Sequence, residues 1–151
     1  MADFKSLGTF DIIYCDPPWL YNTNGKRSGR AIDHYKCMSM KELKCIPVND
    51  LANSDCALLM WTTGPMMKKA VELMGHWGFD YRTVFTVWDK LNPVKLNSVT
   101  NPGYYTLTNC EFLLIGMKGK LTNLKSRPSV NVRQLQHIPR SVHSKKPDLI
   151  Q

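Results

Sequence analysis

The stretch that most constrains this chain is Phe10-Asp11-Ile12-Ile13-Tyr14-Cys15, followed at once by Asp16-Pro17-Pro18-Trp19. The six-residue run is apolar and β-branched, which suits a strand buried on both faces, as in a parallel sheet. Two successive prolines remove backbone donors and forbid both helix and ladder, so the strand must stop there. An acid is thereby fixed at the carboxyl end of a buried strand. In open α/β sheets, ligands bind beyond those ends.

The rest of the chain extends the same pattern. Residues 20–37 form a long polar loop holding Lys26, Arg27 and Arg30. Ser39, with Glu42 three positions on, predicts a short helix opened by a capping box and ended by Pro47. Cys56–Trp61 reads as a second buried strand. Pro65 opens a helix through Met66, Ala70, Val71 and Met74, with Gly75 near its end. Tyr81–Trp88 alternates aromatic and β-branched residues and reads as a third strand. A second polar loop covers 89–109, and Cys110–Gly116 reads as a fourth strand. After Lys120 the chain is basic and broken by Pro128 and Pro139. The order strand, helix, strand, helix, strand, strand predicts one α/β domain over residues 1–151, with a largely parallel sheet.

Composition sets limits on partners. Of 151 residues, 43% are hydrophobic and 21% charged, an ordinary globular balance. No apolar run approaches the roughly 18 residues a membrane span needs. The N-terminus has no signal-peptide pattern, so a cytoplasmic location is expected, or a nuclear one in a eukaryotic host. Twenty Lys and Arg against twelve Asp and Glu give +8. That surplus favours a polyanion such as nucleic acid. A basic protein without such a partner fits the charge equally well. The five cysteines form no CxxC pair, and no metal site is expected.

The chemistry available to Asp16-Pro17-Pro18-Trp19 is specific. An exocyclic amine on an aromatic base is a poor nucleophile, because its lone pair is delocalised into the ring. A carboxylate and a rigid carbonyl about 3 Å away can accept its hydrogen bonds as it turns tetrahedral. A neighbouring aromatic offers a stacking face for the base. Asp16, the Pro17 carbonyl and Trp19 fill these roles. The competing reading is a strand-ending turn in which Asp16 caps nearby amides.

Tyr14-Cys15-Asp16-Pro17-Pro18-Trp19 resembles the catalytic motif of the MT-A70 family of adenine-N6 methyltransferases. Five further blocks resemble the family in its order: His34–Ser39, Leu59–Gly64, Val87–Lys90, Gly103–Gly119 with Glu111, and His143–Asp148. The resemblance implies a Rossmann-like methyltransferase fold of the circularly permuted class, with S-adenosylmethionine as cofactor. It implies that Asp16, Pro17, Pro18 and Trp19 hold the target amine. It sets Asp16, Tyr35 and Lys146 by the cofactor, and Trp88 and Glu111 near the base. Lys26, Arg27, Arg30 and the basic last third (Lys118, Lys120, Lys125, Arg127, Arg133 and Arg140) would flank a nucleic-acid strand at the carboxyl-end face, and a set of solvated charges fits them equally well. For Tyr35, Trp61, Trp88, Glu111 and Lys146, packing or solvated roles are the alternative. DNA is favoured over RNA, because the compact form with 15 residues before the motif is similar to phage and bacterial members.

The pattern also departs from the family. The aromatic-x-Arg strand and Asn-containing element that follow the Lys-Pro segment in the family have no counterpart before Gln151. The readable strands are roughly four, against about seven in a doubly wound methyltransferase sheet. The expectation is therefore a fold incomplete at the C-terminus, with an exposed apolar edge beside the Asp16 strand. A homodimer or a partner chain would complete it. The functional alternative is a catalytically inactive nucleic-acid-binding or scaffold paralogue.

Overall fold

The computed structural model describes residues 4–21, 36–103, 105–120, 131–141 and 145–147. Its elements are β1 (Phe10–Cys15), α1 (Met40–Lys44), β2 (Ala52–Thr62), α2 (Met67–His76), β3 (Asp80–Leu91), β4 (Cys110–Lys118) and β5 (Leu135–Pro139). Short 3-10 turns at Phe4–Leu7, Val48–Leu51 and Gly64–Met66 connect them.

The strands form one sheet in the order β1-β2-β4-β3-β5. β1 and β2 are parallel, as are β3 and β5, while β4 runs antiparallel to both β2 and β3. Four strands thus share one direction, with β4 reversed between β2 and β3. β5 is absent from the sequence expectation. It is only five residues long, lies at a sheet edge and alternates exposed with half-buried residues, so it carries no apolar run to read. Pro139 is tolerated because it closes that edge strand.

β2 is buried on both faces. Leu58 and Met60 face the main core with Ala70, Leu73 and Met74 of α2, Leu43 of α1, and Trp77, Phe79 and Leu114. Ala57 and Trp61 face the other side, in two smaller clusters with Ile115 and Met117, and with Trp88 and Leu113. The alternation is the two-residue period of a strand. Among the described residues both helices contribute to one face only. β1 is an edge strand whose Ile13 and Cys15 pack on the main core, while Phe10, Ile12 and Tyr14 remain open. Cys56 is fully buried and Cys15 and Cys110 half-buried, as small core residues.

The expected capping box opens α1. The Ser39 hydroxyl accepts the Glu42 N–H at 3.3 Å, and the Glu42 carboxylate accepts the Ser39 N–H at 2.8 Å. A five-residue helix has little else to fix its start. Ser39→Ala should cost about 1 kcal/mol in urea denaturation. A loss below a few tenths would show that the packing of Leu43 alone holds α1.

Candidate active site

β1 ends where its ladder with β2 ends, at the Cys15–Met60 pair. Pro17 and Pro18 carry no N–H to extend it. The chain turns sharply: the Trp19 N–H donates to the Pro17 carbonyl at 2.8 Å, and the Pro18 carbonyl accepts the Met38 N–H at 2.8 Å. A carbonyl oxygen has two lone pairs, so Pro17 retains acceptor capacity beside Asp16.

Asp16 is the open end of a chain of alternating charges. Its Oδ2 lies 2.7 Å from Lys146 Nζ, which lies 3.1 Å from Glu111 Oε2. Lys90 Nζ bonds Glu111 Oε1 in turn. Four separate segments supply the chain, beginning with the turn after β1 that carries Asp16. Glu111 enters on β4 opposite Trp88 of β3, Lys90 follows two residues later on β3, and Lys146 arrives on the 145–147 segment beside buried Pro147. The Asp16 side chain is 42% exposed, against 12% for Lys146 and 15% for Glu111. Solvent, and anything that enters from it, meets Asp16 first.

Two indoles form the floor. Lys146 Nζ stands 5.6 Å from the Trp61 ring centroid and Lys90 Nζ 5.2 Å from that of Trp88. Both are cation–π distances. The rings meet edge to face at 6.2 Å and 72°. The Trp61 indole N–H donates to the Tyr14 hydroxyl at 2.5 Å, and that of Trp88 to the Ile138 carbonyl at 2.8 Å.

Burial sets the protonation tendencies, and the charges then divide them. Burial pushes the Asp16 carboxyl up. Lys146 opposes that rise and the like charge of Glu111 adds to it, so the result is upward. Burial also pushes Glu111 up, but two ammoniums outweigh it and hold Glu111 below the usual carboxylate range. Lys146 loses by burial and gains more from Glu111 and Asp16, so it stays charged. Cys15, beneath Asp16, is pushed up to about 12 by burial and by the Asp16 charge, and is a neutral thiol.

Several expected positions are brought together and others are not. Asp16, Pro17, Glu111 and Lys146 meet in one place. Trp19, expected to offer a stacking face, is 6% exposed and packs in the main core. The tight turn at Pro17 swings its indole back under β2, where its N–H donates to the Trp61 carbonyl at 3.2 Å. Trp88, expected beside the base, is likewise buried, as part of the floor. Tyr35, Lys26, Arg27 and Arg30 lie outside the described residues, as do Lys125 and Arg127. Lys118 and Lys120 do not approach the Asp16 end. Because β4 runs antiparallel, Lys118 pairs with Cys56 near the start of β2. There it donates to Asn49 Oδ1 at 2.9 Å, and the Lys120 N–H donates to Asp55 at 2.7 Å. The expected placement of the basic last third at the carboxyl-end face therefore fails for Lys118 and Lys120.

Sequence reasoning gave no role to Lys90, or to the Tyr14 hydroxyl under Trp61. Lys90 had a visible signal, a lysine two residues after a tryptophan at a strand end. Tyr14 had none. Among the described residues, no group of three His, Cys, Asp or Glu side chains is placed to hold a metal. No described helix is long and apolar enough to cross a membrane.

Residues 10–151 match the MT-A70 family model. The chain belongs to the MT-A70 family. It is 40% identical to the type II methyltransferase M.MunI of Mycoplasma sp over 91% of its own length and 63% of that protein's. It is 28% identical to the N(6)-adenine-specific methyltransferase METTL4 of Mus musculus, over 93% of its length and 31% of METTL4. To the N(6)-adenosine-methyltransferase MT-A70-like protein of Drosophila melanogaster it is 28% identical, over 81% of its length and 19% of that protein's. The chain thus spans less than two thirds of each of these relatives.

Proposed function

We propose that this MT-A70 chain carries the amine-holding half of a site that methylates N6 of adenine in nucleic acid, with DNA as the substrate. The observation that carries this reading is Asp16: a half-open carboxylate at a strand's carboxyl end, its inner side held by the buried Lys146–Glu111 pair, with the Pro17 carbonyl beside it. DNA is supported by the higher identity to the type II methyltransferase (40%) than to the relative named for adenosine (28%).

The donor set fits S-adenosylmethionine, since carboxylates suit a cationic cofactor and an ammonium suits its carboxylate. That cofactor would supply a methyl group on a positively charged sulfur, which would leave as a neutral thioether when the sulfur–methyl bond breaks. The chain's own residues prepare the acceptor. Asp16 accepts one amine N–H and the Pro17 carbonyl another, which draws the nitrogen towards tetrahedral geometry and frees its lone pair. Once the N–C bond has formed, the nitrogen carries an extra proton, and Asp16 is the base within reach. Lys146 orients Asp16 and keeps its charge in place. Glu111 and Lys90 fix Lys146. Trp19 acts as a positioning residue that pins the turn.

The test is transfer of labelled methyl groups to random-sequence DNA and RNA pools, with the modified base identified after digestion. N6-methyladenine in DNA is expected; label in RNA alone would reject the substrate assignment.

The pH profile gives a second check. Asp16 must be ionised to accept the amine hydrogens. Its folded-state pKa is raised, so kcat/KM should fall on the acid side at a pH above the ordinary aspartate value of about 3.9. A raised carboxyl contributes stability below its unfolded pKa and loses it as pH rises through the folded value. Protonating Asp16 therefore does not unfold the chain. Glu111 is depressed, so its contribution is present above the ordinary carboxylate range and is lost as pH falls through its folded value. Activity should disappear at a higher pH than the circular dichroism signal. Coincident losses would contradict this order.

A further inference from the structure

The connection between β3 and β4 is built from two turns on a fixed base. In the first, Asn92 Oδ1 accepts the N–H groups of Val94 and Lys95 at 2.9 and 3.0 Å, and the Val99 N–H donates back to the Lys90 carbonyl at 2.7 Å. In the second, Asn101 and Thr108 exchange both backbone hydrogen bonds at 2.8 Å. Under both lies Asp89, only 7% exposed. It accepts from the Ser98 hydroxyl at 2.9 Å and the Asn109 amide at 3.0 Å, and faces His137 Nδ1 at 2.8 Å.

A connection this well tied does not need apolar tips, yet it has them. Val94 is 87% exposed, Leu96 62%, Tyr105 100% and Leu107 65%. Val94 and Leu96 lie two residues apart on the first turn, and Tyr105 and Leu107 two apart on the second, so each anchored turn presents its own apolar pair to solvent, as an interaction surface does. Leu96 sits at φ 52°, a region where glycine or asparagine is the ordinary occupant. Strain of this kind is tolerated where a side chain must be aimed.

The position of the loop selects the occupant. β3 runs in the same direction as β1, so the loop leaves the sheet at the Asp16 end. The ion-pair chain from Lys90 through Glu111 and Lys146 leads from its base to Asp16. Lys95 stands between Val94 and Leu96, and the Arg140 N–H donates to the Leu91 carbonyl at 3.0 Å where the loop begins. Apolar side chains flanked by cations suit a duplex. The apolar groups unstack a base step, and the cations meet the adjoining phosphates. An adenine inside a duplex must leave its stack to reach Asp16.

We propose that Val94, Leu96 and Tyr105 form a wedge that enters a DNA duplex beside the target adenine and opens its stack. This inference rests on the methyltransferase reading, but its measurement is separate. The probe is a random-sequence duplex pool with 2-aminopurine replacing a fraction of the adenines, whose fluorescence rises on unstacking. The full chain should raise the signal about threefold or more on binding. The triple variant Val94→Ser, Leu96→Ser, Tyr105→Ser should remove that rise, with duplex affinity by anisotropy within about threefold of the parent, because phosphate contacts dominate it. The wedge is overturned if the parent does not bind the duplex, if the parent gives no rise, or if the variant gives an equal one. It is also overturned if the rise occurs with RNA duplex only, or if the variant's main effect is a change of oligomeric state in sedimentation. Fluorescence without methyl transfer to any pool would sink the methyltransferase reading alone; methyl transfer without fluorescence would sink the wedge alone.

Discussion

Asp16→Asn is expected to lower single-turnover methyl transfer by about a thousandfold. The substitution keeps the size and one acceptor oxygen. It removes the charge that draws the amine hydrogens and the base that takes the proton. Affinity for nucleic acid should change by no more than about twofold, because phosphate contacts are made elsewhere. The fold should tolerate the change as well. Asp16 is the most exposed member of the charge chain, and Lys146 keeps Glu111 at 3.1 Å, so the stability cost is within about 1 kcal/mol. Incorporation of tritium into nucleic acid from a methyl-labelled donor and a urea titration on the same preparation would separate the two effects. A variant with the parent's rate would remove the carboxylate from the chemistry.

Glu111→Ala should act in the opposite sense, on stability first. Glu111 is the shared partner of Lys146 and Lys90, and is itself 15% exposed. Its removal leaves two ammoniums facing one another over the indole floor, with Asp16 as the remaining partner of Lys146. Breaking a buried pair by deleting one member costs about 3 kcal/mol. Part of the Lys90 ammonium can reach water, which puts the expectation at the low end of that range. Glu111→Gln keeps two hydrogen-bonding positions and should lose less than Glu111→Ala. Urea midpoints at pH 7 would measure both. Equal losses from Ala and Gln would mean that the charge of Glu111, rather than its hydrogen bonds, sets the cost.

How much of this was legible in the sequence follows from what each residue's neighbours are. The extent of β1 and the turn after it were readable because the relevant physics is local: a β-branched run, then two residues without N–H groups; its burial on both faces was not, because β1 is an edge strand with Phe10, Ile12 and Tyr14 exposed. The α1 cap was readable for the same reason, since Ser39 and Glu42 are three residues apart. The order of the first six elements followed from such local signals. The direction of β4 did not. Cys110–Gly116 reads identically upward or downward, and only its pairing with β2 and β3 decides. That one direction moved Lys118 and Lys120 to the far end of the sheet. Trp19 failed for a related reason. The motif shows an aromatic after two prolines, but the turn that buries it depends on a carbonyl of β2, 42 positions away. The convergence of Asp16, Glu111 and Lys146 was anticipated by family resemblance, not by spacing. The Asp89 base of the β3–β4 loop was invisible, since its partners lie 9, 20 and 48 residues away.

The indole floor also has an optical consequence. All four tryptophans are at most 6% exposed, so none reports on solvent in the folded chain. Two of them carry an ammonium over the ring, and the Trp61 indole N–H is tied to the hydroxyl beneath the site. The Trp61 and Trp88 share of the native emission is therefore sensitive to the charge chain, over a background from Trp19 and Trp77 in the main core. Anything that draws Lys146 away from Trp61 alters the spectrum without a label, while loss of the fold shifts all four chromophores towards the colour of water-exposed indole. The site carries its own dye.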